Sequence, residues 1–95
     1  MTSWTVTQTN RYRAAVEDAG ITDWLSFIPT SDIAHVDYDA RWPKRDPEPF
    51  LKFSAIRYAD KVTTPLLILH GAADRRVPTI QGREYSSCSP SAARR

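Results

Sequence analysis

Residues 64–71 read Thr-Pro-Leu-Leu-Ile-Leu-His-Gly (TPLLILHG), with the four consecutive apolar side chains Leu66 to Leu69 set between Pro65 and Gly71. A strand with one wet face alternates apolar and polar residues, whereas a continuous run of this kind fits a strand covered on both faces, as in a parallel sheet. Parallel strands cannot be joined by a tight turn and need long crossover connections, usually helical. The stretch therefore predicts an α/β fold in which parallel strands carry covering helices.

On the C-terminal side lie a polar loop (AADRR, residues 72–76), then Val77-Pro78, then a helix from Thr79 to Tyr85. On the N-terminal side, Phe50, Leu51, Phe53 and Ile56 follow the start signal Pro49 and predict an amphipathic helix over 50–58. Residues 39–49 (DARWPKRDPEP) hold three prolines and six charges and read as a surface loop. The run Thr22 to Phe27 (TDWLSF) opens on a capping residue and predicts a short helix that Pro29 ends, with another helix from Ser31 placing Ile33 and Val36 inward. Two segments stay open. Residues 1–10 (MTSWTVTQTN) satisfy both a period of two and a short apolar helix face. Residues 12–20 (YRAAVEDAG) combine helix-forming alanines with a Tyr12, Ala14, Val16 alternation. Beyond Tyr85 the apolar spacing stops, and SSCSPSAARR (residues 86–95) offers only Cys88, Ala92 and Ala93 as apolar side chains. That tail is expected to be disordered and outside the fold, with the composition of a GC-rich message read out of frame.

Ninety-five residues allow one small domain, and 41% hydrophobic with 25% charged residues is close to the globular average. Mean hydropathy is −0.48 and no apolar run approaches the ~18 residues of a membrane span, nor does Met1-Thr2-Ser3-Trp4 open a secretory signal. Thirteen basic and eleven acidic side chains leave a net charge of +2, too little to imply nucleic acid or an anionic membrane as partner. The charge is uneven: residues 1–50 hold five basic and eight acidic groups, residues 51–95 eight and three. Cys88 is the single cysteine, which excludes an internal disulfide and a thiolate metal cluster. A cytoplasmic chain is expected.

The string LILHGAADRRVP (67–78) resembles the strand and acid loop of α/β-hydrolases: apolar strand, His-Gly, two residues, Asp, two residues, Val-Pro. MTSWTVTQTNRYRAAVEDAGITDW (1–24) is similar to the segment after the nucleophile elbow in the prolyl oligopeptidase family, especially its acylaminoacyl-peptidase-like members. DPEPFLKFSAIRYADKVTTP (46–65) resembles that family's approach to the acid strand. The resemblance covers residues 1–85, as a partial and incomplete α/β-hydrolase catalytic domain, and leaves 86–95 unmatched. It implies a helix over Met1 to Thr9 and a sheet strand around Ala14–Ala19. It also implies a fragment of a serine-type peptidase that hydrolyses short or acylated peptides, without cofactor or metal, through a Ser-Asp-His triad.

The resemblance assigns Asp74 as the triad acid; the local alternative is that Asp74 only caps its loop. In this fold the chain order is Ser, then Asp, then His. His35 and His70, the two histidines, both precede Asp74, and the family's base lies about 30 residues beyond the acid. The elbow serine would lie about five residues before Met1, and Ser3 has no flanking glycines and reads as a helix residue. A chain of these residues is therefore expected to be inactive. Asp32, His35, Asp37 and Asp39 have a metal-like composition, but their spacing suits a solvated acidic helix face better. Arg41, Trp42, Lys44 and Arg45 mix basic and aromatic character within a proline-rich loop, and Tyr12, Trp24 and Phe27 are expected in the core. Two other readings stand beside the peptidase: a non-catalytic truncated or frameshifted remnant, and a fragment of a carboxylesterase-type hydrolase, which the Asp74 loop alone fits equally well.

Overall fold

The computed structural model describes residues 1–33 and 47–94. Helix α1 (Thr2–Gln8) leads to strand β1 (Ala15–Asp18), helix α2 (Trp24–Thr30), helix α3 (Glu48–Lys52) and a 3-10 helix (Ala55–Lys61). Strand β2 (Leu66–Leu69), helix α4 (Ile80–Cys88) and strand β3 (Ala92–Arg94) follow. The sheet has the order β1-β2-β3 and every pairing is parallel, with Ala15 opposite Leu66, Glu17 opposite Ile68, and Leu66 opposite Ala92. The expected helix at the N-terminus and strand near Ala14–Ala19 are both present.

Leu66 and Ile68 are buried in a cluster with Val6 of α1, Ala55 and Ala59 of the 3-10 helix, Val62, and Tyr85 of α4. Helices thus cover one face of the sheet. On the other face Leu67 and Leu69 are half-buried and Val16 is exposed, so β2 is less enclosed than its sequence predicts. A second cluster of Phe27, Ile28 and Phe50, with Ile21, Trp24, Leu25 and Val77, packs α2 and α3 against the acid loop.

Five expectations are corrected. The helix predicted over 50–58 is two elements. Ser54 lies between them because its hydroxyl donates to Phe50 O (2.6 Å) and accepts from Trp24 N (3.0 Å), while Ile56 N is drawn to Thr22 O (3.0 Å). Pro29 does not end α2, which runs to Thr30: proline's fixed φ suits a helix and costs one amide bond, and Phe27 and Ile28 beside it are buried. The cap of that helix is Asp23, whose Oδ1 accepts from Leu25 N (3.0 Å). Tyr12 is not core but exposed. The tail is not outside the fold: α4 continues to Cys88, and Ala92–Arg94 adds the third strand. Ser91 anchors its entry by donating to Val62 O (3.2 Å) and Thr64 O (2.9 Å). The helix expected from Ser31 falls mostly outside the described residues; Ser31 itself caps the C-terminus of α2. No helix among the described residues is long and apolar enough to cross a membrane.

Gly82 in α4 lets that helix lie close to β2. A Cβ there would stand 3.1 Å from His70 Nδ1 and 3.2 Å from Ile68 Cγ2. Alanine would gain about 1 kcal/mol of helix propensity, but overpacking against two buried side chains costs about 1–3 kcal/mol. Gly82→Ala is expected to lower the melting temperature; a rise would show that α4 has room to shift.

Candidate active site

Asp74 lies on the loop that leaves the C-terminal end of β2, the end where ligands gather in open parallel sheets. Its Oδ1 accepts from Arg76 N (3.0 Å) and Val77 N (2.9 Å), the self-closing turn that a short carboxylate favours. Gly71 O accepts from Asp74 N (3.2 Å) and from the Thr79 hydroxyl (2.9 Å), which ties both ends of the loop together. Asp74 Oδ2 makes no hydrogen bond among the described residues, and the side chain is 26% exposed. Capping and triad roles therefore use different oxygens and are compatible: Oδ1 fixes the carboxylate, Oδ2 is left for a partner.

The loop is also held from outside. Ser31 Oγ donates to Arg76 O (2.6 Å), Asp32 N to Arg75 O (3.0 Å), and Arg76 Nε to Asp32 Oδ1 (2.7 Å). The exposed Asp32–Arg76 ion pair contributes at most about 1 kcal/mol, so the neutral bonds of the buried Ser31 carry most of this clamp. Asp32 is thus a partner of the acid loop and not part of a free acidic face. His35, Asp37 and Asp39 lie outside the described residues, as do Arg41, Trp42, Lys44 and Arg45. No group of three or more potential metal ligands occurs among the described residues.

His70 comes within 4.0 Å of Asp74 Oδ2, yet the two do not make a catalytic pair. Its Nε2 is 2.6 Å from Val77 O. A carbonyl only accepts, so Nε2 carries the proton and spends it on the loop backbone. The ring is 4% exposed and cannot reach a substrate. Ser3 is buried on α1, its carbonyl accepting from the Tyr85 hydroxyl (2.9 Å). The structure brings His70 to Asp74 and leaves Ser3 in the core. Three features escaped the sequence: the Ser31–Asp32 clamp, the buried carboxyl of Glu17, and Gln81. The Gln81 Oε1 accepts from Thr22 N (3.0 Å) and Asp23 N (2.9 Å). None has a local signal, since each depends on residues far apart in the chain.

A parallel sheet, helices packed on it, and an anchored acid on the loop after an apolar strand define part of an α/β-hydrolase. The prolyl oligopeptidase family matches residues 1–87, and the chain belongs to that family. It is 42% identical over 87 residues to an uncharacterized peptidase of Bacillus subtilis (strain 168), covering 88% of this chain and 13% of that protein. It is 59% identical over 32 residues to the acylamino-acid-releasing enzyme of Sus scrofa, covering 34% of this chain and 4% of that enzyme. Among solved structures, the Pyrococcus horikoshii acylaminoacyl peptidase superposes with a TM-score of 0.86 at 29% identity, over 99% of this chain and 17% of that one. A Mycobacterium tuberculosis puromycin-hydrolyzing peptidase superposes with a TM-score of 0.81 at 27% identity, over 98% of this chain and 16% of that one. The chain therefore spans a small part of the length of these relatives.

Proposed function

We propose that this chain is the acid-bearing part of the catalytic domain of a serine-type peptidase acting on short or acylated peptides. The observation that carries the reading is Asp74 at the C-terminal end of β2, its Oδ1 fixed by two loop amides and its Oδ2 without a hydrogen bond among the described residues. In a Ser-Asp-His triad such an oxygen accepts the Nδ1–H of the base, sets its tautomer and stabilises the imidazolium that forms when the serine attacks the substrate carbonyl. The acyl group passes to the serine and then to water, and this sequence needs neither metal nor cofactor. The peptidases among the relatives favour this reading over a carboxylesterase, and two of them, the acylamino-acid-releasing enzyme and the acylaminoacyl peptidase, favour acylated substrates.

Nucleophile and base would come from other parts of such an enzyme, since this sequence has no Gly-x-Ser-x-Gly and no histidine after Asp74. The 95-residue chain is accordingly expected to turn over neither acyl-peptide p-nitroanilides nor p-nitrophenyl esters above the buffer rate. Turnover that disappears in Asp74→Ala would overturn this; turnover indifferent to that change would belong to a contaminant.

A further inference from the structure

Strand β1 leaves one edge of the sheet open. Among the described residues it pairs with β2 alone, in the order β1-β2-β3. Ala15 N donates to Pro65 O (2.9 Å) and Ala19 N to Leu69 O (3.0 Å), so the odd-numbered residues of β1 turn their backbone groups toward β2. Those groups alternate along a strand, and the N–H and C=O of Val16 and Asp18, with Ala14 just before them, point outward. Such an edge is a template for a further strand.

The surface beside this edge is apolar. Met1 is 95% exposed, Val16 55% and Tyr12 53%. An open groove of about 320 Å³ runs between α1 and β1, lined by Met1, Thr5 and Val6 on one side and Tyr12, Ala15 and Val16 on the other. No residue of β2 lines it, so it lies on the outer side of β1. Glu17 is buried beneath the helices, whereas Val16 and Asp18 stand on the face that the helices leave uncovered.

Charge is sorted along the strand as well. Arg11 and Arg13 precede β1 and Asp18 ends it; all three are exposed, and none enters an ion pair among the described residues. An antiparallel strand of the same sequence brings the arginines of one copy to the aspartate of the other. A parallel one sets like charges together. Exposed pairs of this kind add little affinity but fix orientation.

We propose that this edge is a self-association surface, on which β1 pairs antiparallel with β1 of a second copy about a two-fold axis at Val16. The two Val16 backbones exchange both of their hydrogen bonds, and Asp18 does the same with Ala14 of the second copy, as in an antiparallel ladder. The Val16 side chains then stand opposite each other on one face and shield each other from water. The second strand lies along the groove beside α1. A two-fold contact closes on itself and stops at the dimer, whereas pairing of β1 with the outer edge of β3 would propagate into open chains. The surface is independent of the role of Asp74.

Light scattering on the eluting chain, repeated across a dilution series, tests this. The mass should reach twice the 10.8 kDa of one chain and rise no further. Val16→Lys leaves every hydrogen bond of the fold in place, since the N–H there faces outward, and an edge lysine disfavours pairing. It should halve the mass while circular dichroism stays unchanged. A single-chain mass at every concentration, a dimer that survives Val16→Lys, or a mass that keeps growing overturns the proposal. Hydrogen exchange decides even if Val16→Lys fails to fold. The Val16 and Asp18 amides of the unsubstituted chain should be protected when it is concentrated and exchange freely on dilution; free exchange at every concentration overturns the surface.

Discussion

Tyr85→Ala abolishes cooperative folding of the chain. The ring is fully buried between α4, α1, the 3-10 helix and β2, and its hydroxyl donates to Ser3 O at 2.9 Å, joining residues 82 positions apart. Truncating a buried aromatic ring to alanine costs about 3–5 kcal/mol, and here Ser3 O also loses its partner. Domains have only about 5–15 kcal/mol of net stability, and a chain of this size lies at the low end because it buries less of its surface. Tyr85→Phe keeps the ring and loses only the hydrogen bond, a cost of about 1 kcal/mol that lowers the melting temperature by about 4–8 °C. Thermal melts followed by circular dichroism separate the two. A cooperative transition in Tyr85→Ala within a few degrees of the unsubstituted chain would show that α4 does not close the core.

What the sequence revealed and what it hid follow from where the information resides. Strand β2 and the Asp74 loop were legible because a continuous apolar run and a His-Gly-x-x-Asp turn carry their own signals. Strand β1 was not decided locally. Four residues, Ala15 to Asp18, are too few for a period to establish itself, and pairing with Leu66–Leu69 settles the state. The third strand was missed because Ala92–Arg94 has no β-branched or aromatic residue; an edge strand needs only backbone donors and acceptors, which β2 provides. The split of the helix near Ser54 and the clamp of Ser31 on Arg76 depend on hydrogen bonds across 30 and 45 residues. Glu17 read as one polar residue among others; its burial comes from the helices laid over β1, which no local pattern reports.

The second large effect concerns the carboxylate of Asp74. Asparagine keeps the size of the side chain and one oxygen for the loop amides, yet replaces the charge that steadies an imidazolium. In a triad this change lowers kcat by about 10⁴-fold while leaving the surrounding geometry intact. A merely structural aspartate would be replaced with little loss, since Arg76 N and Val77 N would still find an acceptor.

The most direct measurement is made where nucleophile and base are supplied. The Pyrococcus horikoshii acylaminoacyl peptidase, which superposes on nearly the whole of this chain, provides such a setting. Residues of this chain are placed in that enzyme in exchange for its matching segment, and kcat and KM are measured on an acylated peptide. The chimera should hydrolyse the substrate, and Asp74→Asn within it should lower kcat by about 10⁴-fold with KM and melting temperature little changed. A folded chimera without activity, or an Asp74→Asn form within tenfold of its parent, would contradict the assignment of this chain as the acid-bearing part of a serine peptidase.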